Sequence, residues 1–491
     1  MRTRFVSVLI TTVIFSILHA CSDESTLINN LSSHDQSAEI KTRGNNLLQE
    51  SPASAFIKGR KVTKEFVPVI LEGFLDKAEF KSIDKYSLTT VTNGVCELMY
   101  IVNFEQGGWA IVSGRFQDDN QILAYGTEGE FDPNNIESPE VLFWFDRAKS
   151  MIEHEMVEDE STNPVEHLRS GPYDNEPYVW VIIPLGYQYS SEVSESVTPL
   201  TRTQWGQNRP WNWLCPIDPT TGEQCLLGCA AVAVSQMLYY LHYNLGAPNG
   251  LYHTIDTSFT WVPAENQFTS QLIKSDYHDP SPRWNLMQRY VSYDLTNNAK
   301  HTGRFIIDIA DRLDTKFSSE KSTASIKDSV FNNLGIQFSS YDGFSEYYTT
   351  NSLRNAMPVL VRADNSNYTR SSGNDNEGHA WVIDGFKIIR TTSDYQRYLR
   401  IIPTDSLSFY NYLDYDNILT DSQKEYYYPG IDEYEIIHDY SYSYSTKYHM
   451  NWGWNGSYYN SYYSSSPMGW NPYPYVFDLN VKMYYGFTID N

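Results

Sequence analysis

The sequence predicts an α+β protein with two folded units, and three observations carry that prediction. The stretch "LMYIVNFEQGGWAIVSG" contains two runs of strand-forming residues, 98–104 and 109–112, joined by a glycine-containing turn. The stretch "SPEVLFWFDRAKSMIEHEM" carries apolar residues at helical spacing, and Ser138 at its head is a helix start signal. The charged stretch "VEDESTNP" then interrupts the pattern before a second, longer unit begins near residue 200.

The length and composition bound the class of protein. A chain of 491 residues can form two or three domains with at least one large core. Its 39 Tyr and 12 Trp residues argue against a disordered chain. The formal net charge of -24 argues against nucleic acid as a partner, because phosphate binding needs a basic surface.

Residues 1–20 are typical of an export signal. Arg2 and Arg4 precede the apolar run "FVSVLITTVIFSIL", whose 14 residues fall short of the about 20 that a membrane span needs. The following "LHAC" resembles a bacterial lipobox and predicts lipidation of Cys21, although an ordinary cleaved signal is an alternative. We therefore expect an exported lipoprotein of the outer membrane or cell surface, attached to the membrane through its N-terminal lipid alone.

The rest of the chain divides by composition into four segments. Residues 22–60 are polar and are interpreted as a tether, 61–160 form the first compact unit, 161–199 form a linker, and 200–491 form the second unit. Within the second unit, 387–448 is dense in Tyr and Ser and is interpreted as an inserted surface excursion.

Four cysteines follow the lipobox, of which Cys96 lies in the first unit. Cys215 and Cys225 flank the turn-rich "PIDPTTGEQ" and could close a small disulfide loop, which would leave Cys229 free. A zinc site formed by the last three cysteines is disfavoured, because the spacing C-x9-C-x3-C fits no common pattern. We predict no metal and no cofactor.

Cys229 is the candidate nucleophile. It follows Gly228 at the start of "CAAVAVSQMLYYL", which predicts a helix that is apolar nearly all round and therefore buried. The unpaired N–H groups and the positive dipole at a helix N-terminus favour a thiolate over a thiol. An inert buried cysteine is the competing interpretation.

A nucleophilic thiolate needs a base, and His379 has the most suggestive setting of the 11 histidines. The stretch "HAWVID" predicts a strand, and Gly378 leaves space beside the imidazole for a substrate backbone. The competing interpretation is a core histidine with satisfied hydrogen bonds. His449 is a rival base, but its bulky neighbours favour a structural role.

Two further stretches supply polar groups for such a site. In "YHMNWGWNG", Asn451 could fix the tautomer of a histidine and Trp452 could shield that bond from water, unless the stretch is only an aromatic turn. In "TQWGQNRPWN", the Gln207 amide could donate into an oxyanion hole, with Gln204 as the second choice.

These stretches, in this order, resemble the streptopain family of secreted cysteine peptidases. The stretches "WGQNRPWN", "GCAAVAVSQMLYY", "GHAWVIDGF" and "HMNWGWNG" are in register with the family pattern, and "KMYYGF" resembles its C-terminal strand. The resemblance covers about 200–491, and the first unit is similar to the inhibitory pro-domain of this family. It implies a papain-like α+β catalytic domain preceded by a small α+β pro-domain.

The resemblance also implies a role for each matching residue. Cys229 would be the nucleophile, His379 the general base and Gln207 part of the oxyanion hole. Asn451 and Trp452 would orient and shield the histidine. The residues expected to line the substrate cleft are Gly378 and Ser322.

Two functions remain open on the sequence. The first is an exported cysteine endopeptidase made as a zymogen, which hydrolyses protein or peptide substrates through an acyl-thioester. Its own pro-domain would inhibit it until the chain is cut between about 185 and 202, which could release the catalytic domain outside the cell. The second is a catalytically silent surface lipoprotein that uses the peptidase fold to bind proteins or glycans. The Tyr/Ser-rich segment 387–448 favours the second function, whereas the intact Cys229 and His379 favour the first.

Overall fold

The computed structural model describes residues 62–75, 79–115, 121–159, 178–246, 256–273, 284–290, 296–364, 378–403, 434–456, 459–464 and 479–489. Residues 1–61, which include the predicted signal, Cys21 and the predicted tether 22–60, lie outside these ranges, as do 160–177 and 404–433. The described residues belong to one compact unit. No helix among them is long and apolar enough to cross a lipid bilayer.

The first unit is built from four antiparallel strands with helices packed on them. A short 3-10 helix, Lys64–Phe66, runs into α1 (Val67–Phe74), and the strands are β1 (Tyr86–Thr92), β2 (Glu97–Phe104), β3 (Trp109–Ser113) and β4 (Ile122–Gly126). The strands pair in chain order. β2 and β3 confirm the two strands predicted from the sequence.

The helix α2 (Pro139–Asp159) confirms the predicted helix and its start. Pro139 is its first residue, and the Ser138 hydroxyl accepts a hydrogen bond from the backbone N–H of Val141 at 3.3 Å. The buried residues recur at helical spacing and form one apolar face: Val141, Trp144, Phe145, Ala148 and Ile152.

The second unit combines helices with the larger part of the sheet. Its helices are α3 (Cys229–Leu245), α4 (Asn297–Arg312), α5 (Asp328–Asn332) and α6 (Glu346–Arg354). Its strands are β5 (Tyr178–Val197), β6 (Asp256–Val262), β7 (Gln267–Ile273), β8 (Lys316–Phe317), β9 (Ile336–Asp342), β10 (Val359–Asp364), β11 (Gly378–Pro403), β12 (Tyr434–Asn451), β13 (Ser461–Ser464) and β14 (Leu479–Ile489).

One large sheet joins the two units. Its strand order is β1-β2-β3-β4-β13-β12-β11-β10-β14-β9, with β5 beside β11, while β6, β7 and β8 form a small separate sheet. β12 follows one edge of β11, and the other edge pairs first with β10 and then with β5. β11 therefore lies at the centre of the second unit with partners on both sides.

Two sequence interpretations change in the light of this pairing. The predicted linker 161–199 contains a strand, β5, which pairs with β11. This pairing uses main-chain hydrogen bonds, which do not depend on the identity of the side chains. The predicted excursion 387–448 continues β11 and β12, so it is part of the sheet at its base. Lys447 and Tyr448 at that base are buried, whereas residues 440–442 and 444 of β12 are exposed.

The two units meet where β4 pairs with β13. Tyr125 lies opposite Tyr462, and Ala124 lies opposite Tyr463. Because successive side chains point to opposite faces of a strand, Tyr462 and Tyr463 enter different cores. Tyr462 joins the core around α1, and Tyr463 joins the core that contains α2 together with residues of β10, β11 and β12.

Candidate active site

Cys229 is the first residue of α3 and is partly buried. Gly228 before it has a φ of 88°, a left-handed conformation that side chains rarely adopt, so glycine suits this turn. All residues 230–241 of α3 are buried, which confirms the predicted buried helix. Cys229 thus lies at the positive end of a helix embedded in the core.

Gln207 lies beside the turn that leads into α3. Its backbone carbonyl accepts a hydrogen bond from the N–H of Leu227 at 2.9 Å, two residues before Cys229. Gln204, the second choice for the oxyanion hole, is held at another point, because its N–H donates to the Arg289 carbonyl at 2.7 Å. The structure therefore brings Gln207 close to the segment of the predicted nucleophile.

Ser322 supports the same turn from the other side. Its hydroxyl donates to the Leu226 carbonyl at 2.6 Å and accepts from the Ser318 N–H at 3.0 Å. A Cβ added to Gly228 would lie 3.4 Å from the Ser322 carbonyl oxygen, so the two residues are in contact. The Ser322 hydroxyl holds the turn before Cys229 in place.

His379 is the second residue of β11 and is half-buried, while Gly378 before it is exposed. Ala380 and Val382 follow it on the strand and are buried in the same core as α3. This packing places the start of β11 alongside the helix that begins at Cys229.

Asn451 ends β12 and is buried. Its Nδ2 donates to the Thr203 carbonyl at 2.9 Å and to the Thr201 hydroxyl at 3.2 Å, and its Oδ1 accepts from the Gly453 N–H at 3.3 Å. Since a carbonyl only accepts, these partners assign the amide orientation. To accept a hydrogen bond from a histidine ring, an amide must direct its oxygen towards the ring, and in Asn451 the oxygen lies on the side away from Thr201 and Thr203.

Trp452 is fully buried between aromatic neighbours. Its ring centroid lies 5.4 Å from that of Trp381 and 5.5 Å from that of Tyr463. Tyr463 in turn packs edge-on against Trp144 of α2 at 5.0 Å. The predicted shielding residue therefore belongs to the core that both units share.

A buried carboxylate that the sequence analysis did not single out lies next to this site. Asp384 accepts hydrogen bonds from Thr201 N at 3.1 Å and from the Thr201 hydroxyl, and it contacts His449 Nδ1 at 2.6 Å. His449, the rival base, is thus partnered with Asp384. The available signal was the acidic residue inside the apolar stretch "WVIDGF", because a buried carboxylate needs hydrogen-bond partners.

The other two cysteines of this region are free thiols in the structure. Burial raises the pKa of Cys215 well above its ordinary value and that of Cys225 to about 12, so both stay protonated near neutral pH. Among the described residues, no three His, Cys, Asp or Glu side chains form a group that could hold a metal ion.

Two family models match the chain. Residues 205–463 match the model of the Peptidase C10 family, a stretch longer than half of the chain, and residues 53–152 match the model of the Spi protease inhibitor. The chain belongs to the peptidase C10 family. This membership confirms the streptopain-type resemblance and makes the chain a cysteine peptidase with an inhibitor-type pro-domain ahead of its catalytic domain. The predicted α+β class of this C10 peptidase is also confirmed, with the papain-like domain following the pro-domain.

Solved structures similar to this C10 peptidase come from Prevotella intermedia. A fragment of prointerpain A, solved as a cysteine-to-alanine mutant, aligns with a TM-score of 0.48 at 16% identity and covers 83% of this chain and 100% of its own. Active wild-type interpain A cysteine protease aligns with a TM-score of 0.36 at 18% identity and covers 60% of this chain and 95% of its own. A search of curated proteins finds no match.

Proposed function

We propose that this C10 peptidase is an endopeptidase that cleaves protein substrates through an acyl-thioester on Cys229. The position of Cys229 carries the proposal: it begins a buried helix, Gln207 is tied to the turn before it, and the helix packs on the start of β11. His379 takes the thiol proton as general base and then gives it to the leaving amine. Water attacks the thioester with His379 again as base, which restores the free thiol.

The other residues of the site stabilise or orient the reacting groups. The Gln207 side chain and the backbone N–H of Cys229 donate to the oxyanion. Asn451 accepts from the far ring nitrogen of His379, and Trp452 keeps water from that bond. The proposed walls of the substrate cleft include Gly378 and Ser322.

The pro-domain is proposed to inhibit the enzyme within the same chain. Its edge strand β4 adds to β13 by main-chain hydrogen bonds, a mode of recognition that gives affinity without a particular sequence. Its helix α2 contacts Tyr463 through Trp144, and Tyr463 contacts Trp452. The docked pro-domain is therefore separated from Trp452, the proposed shielding residue, by the ring of Tyr463 alone at this point of contact.

We propose that the processing cut falls upstream of β5, before Tyr178. From Tyr178 to Val197 the main chain of β5 pairs with β11, and near its end the Glu195 carboxylate accepts two hydrogen bonds from Arg354, at 2.6 and 2.7 Å. Proteases prefer exposed and poorly ordered segments, so a paired strand resists cleavage. Most of the expected range, 185–202, is thereby disfavoured.

Export and lipidation of Cys21 belong to the same proposal and rest on the N-terminal sequence pattern. A cut upstream of β5 would separate the catalytic unit from that lipid. We expect full-length protein in the membrane fraction and the processed form in the medium, which immunoblotting of both fractions would measure. A Cys21→Ala variant found equally in the membrane fraction would contradict the lipid anchor.

The experiment that tests the function compares three forms of residues 22–491: wild type, Cys229→Ala and Cys96→Ala. Cys96 is another partly exposed thiol and serves as the control. Each form is incubated with reductant, followed by intact mass, and assayed on casein. We expect wild type and Cys96→Ala to shorten and digest casein, and Cys229→Ala to do neither. Casein digestion by Cys229→Ala at the wild-type rate would show that the nucleophile is wrongly assigned.

A second candidate function is binding by the tyrosine face of β12. Tyr440, Tyr442 and Tyr444 alternate along the strand and are 41%, 57% and 53% exposed. Exposed rings with polar tips are well suited to contact a partner molecule, so a catalytically silent binding protein would also use them. Alkylation of Cys229 at pH 6 separates the two functions, since a thiolate reacts quickly and an ordinary thiol slowly.

A further inference from the structure

We propose that residues 200–203, here called the clamp, position Asn451 for its role beside His379. The clamp consists of Leu200, Thr201, Arg202 and Thr203, which follow the end of β5 after Thr198 and Pro199. This inference rests on the proposed peptidase function and adds the residues that hold its orienting group. Within that function, the clamp residues act through Asn451 and do not touch substrate.

Both N–H groups of the Asn451 amide donate hydrogen bonds to the clamp. One goes to the Thr203 carbonyl at 2.9 Å and the other to the Thr201 hydroxyl at 3.2 Å. Rotating the amide by half a turn would set its oxygen against the Thr203 carbonyl, so that two acceptors would face each other. The clamp therefore decides which end of the amide is left to accept a hydrogen bond.

A β-bulge on β11 anchors the clamp. Ile383 pairs with Met450 and Gly385 pairs with His449, so Asp384 is the extra residue between them. The backbone carbonyl of Asp384 accepts from Leu200 N at 2.8 Å, and its carboxylate accepts from the N–H and the hydroxyl of Thr201. At the bulge, both the backbone carbonyl and the carboxylate of Asp384 therefore accept hydrogen bonds from the clamp.

The direction of these hydrogen bonds is determined by the carboxylate. A carboxylate oxygen accepts, so the Thr201 hydroxyl donates to Asp384, which also contacts His449 Nδ1 at 2.6 Å. The Thr201 oxygen then has its lone pairs available for Asn451. The donors run in one direction from Asn451 through Thr201 to Asp384, and such a chain strengthens each of its bonds.

A second anchor ties the clamp to the helix of the nucleophile. The Thr203 hydroxyl donates to Gln236 Oε1 at 2.8 Å, and Gln236 is buried on α3. Asn451 is therefore held both to α3, which begins at Cys229, and to β11, which begins beside His379. Since proton transfer requires the two catalytic groups within hydrogen-bond reach, a shared support for both elements serves catalysis.

The test uses residues 22–491 after processing, as wild type, Thr201→Val and Thr201→Ser. We expect Thr201→Val to lower kcat about fivefold with KM unchanged, because one hydrogen bond to the orienting amide is lost, and Thr201→Ser to restore it within about twofold. Thr349→Val is the control: it removes a buried hydroxyl on α6 that donates to the Ser345 carbonyl, and its kcat should equal that of wild type.

A double-mutant cycle separates positioning from a general loss of structure. In an Asn451→Ala background, Thr201→Val should have no further effect on kcat, because the group that it positions is absent. An equal loss in both backgrounds, or no loss in wild type, overturns the clamp. If Thr201→Val does not fold, Thr201→Ala removes the same hydroxyl without placing a methyl group beside the carboxylate.

The alkylation rate of Cys229 at pH 6 is measured in the same variants and needs no turnover. If wild type hydrolyses no casein, the proposed function fails, and the clamp is judged by this rate alone. We expect it to fall about fivefold in Thr201→Val and to recover in Thr201→Ser. If wild type is active but Thr201→Val matches it in kcat and in alkylation, the clamp fails and the peptidase function stands.

Discussion

At the residue scale, Asp218 shows how the loop before α3 is held. Its carboxylate accepts from Thr220 N at 2.8 Å, from Ser319 Oγ at 2.9 Å and from Ser319 N at 3.3 Å. Burial opposes ionisation and raises the pKa of Asp218, but the hydrogen bonds from Thr220 and Ser319 outweigh burial and lower this pKa to about 2. Ser319 lies on the loop that carries Ser322, so Asp218 joins the two loops beside Cys229.

We predict that Asp218→Asn lowers the free energy of unfolding at pH 7 by about 1–3 kcal/mol, because an amide cannot accept all of these hydrogen bonds. The folded pKa lies below the unfolded value of about 3.9, so the carboxylate stabilises the protein fully above that value. The stabilisation is lost as the pH falls towards 2. Urea unfolding at pH 7, 5 and 3.5 should give equal differences at the first two and a smaller one at the third.

The control for this prediction is Asp314→Asn, which changes an exposed carboxylate paired with Lys327. Exposed ion pairs contribute little, so we expect no more than about 0.5 kcal/mol from it at any of these pH values. A difference for Asp218→Asn that grows as the pH falls would contradict the assigned direction of the pKa shift.

At the element scale, β5 depends on a close approach to β11. A Cβ on Gly385 would lie 2.8 Å from the Val197 carbonyl oxygen and 3.1 Å from Pro199 N, where the chain leaves β11. Glycine is therefore needed at the point where β5 ends and the clamp begins. The same short stretch of β11 carries the bulge at Asp384, so strand pairing and clamp geometry are linked.

We predict that Gly385→Ala destabilises the protein by about 1–3 kcal/mol, since the new methyl group has to push the main chain away. Thermal unfolding of the processed enzyme would measure the loss. The control is Ser196→Ala, at an exposed position of β5 that pairs with Lys387. An unchanged melting temperature for Gly385→Ala would show that Val197 and Pro199 do not approach β11 this closely in solution.

At the scale of the whole molecule, a buried cation links the pro-domain to the catalytic unit. Lys387 of β11 pairs with Glu79, and its ammonium lies 4.4 Å from the centre of the Tyr462 ring and 5.6 Å from that of Tyr125. The Lys387 side chain is only 7% exposed. The two rings stack at 5.4 Å, and the Tyr125 hydroxyl donates to Glu79 at 3.1 Å. Glu79 and Tyr125 come from the pro-domain, so its departure removes the charge partner of Lys387.

We predict that Glu79→Gln speeds conversion of the zymogen roughly tenfold, which corresponds to about 1.4 kcal/mol of lost docking energy. Breaking one side of a buried ion pair leaves an uncompensated charge, and this cost falls on the docked state. Intact mass followed over time in the presence of reductant measures the rate. Glu65→Gln, at an exposed position of the same domain, should convert at the wild-type rate. If Glu79→Gln converts no faster than Glu65→Gln, the ion pair between Lys387 and Glu79 does not stabilise the docked pro-domain.

Much of this molecule can be inferred from its sequence, because helices and strands leave local patterns. The helical spacing behind Ser138 predicted α2, and the apolar run after Gly228 predicted α3 with Cys229 at its head. The candidate residues Cys229, His379, Gln207, Asn451 and Trp452 follow from residue type and motif order, since the chemistry of a thiol peptidase requires those side chains. The Peptidase C10 family model matches residues 205–463, the range that contains all five candidates.

The tertiary structure alone determined which distant segments share a hydrogen bond. The pairing of β5 with β11, the bulge at Asp384, the clamp on Asn451 and the joining of β4 to β13 all link residues that are far apart in the chain. Main-chain hydrogen bonds carry no sequence signature, and a buried Asp or Thr is chosen for partners that no local window contains. For that reason the sequence determined the chemistry and the types of element in this peptidase, while three-dimensional packing decided how Asn451 is held and where the pro-domain docks.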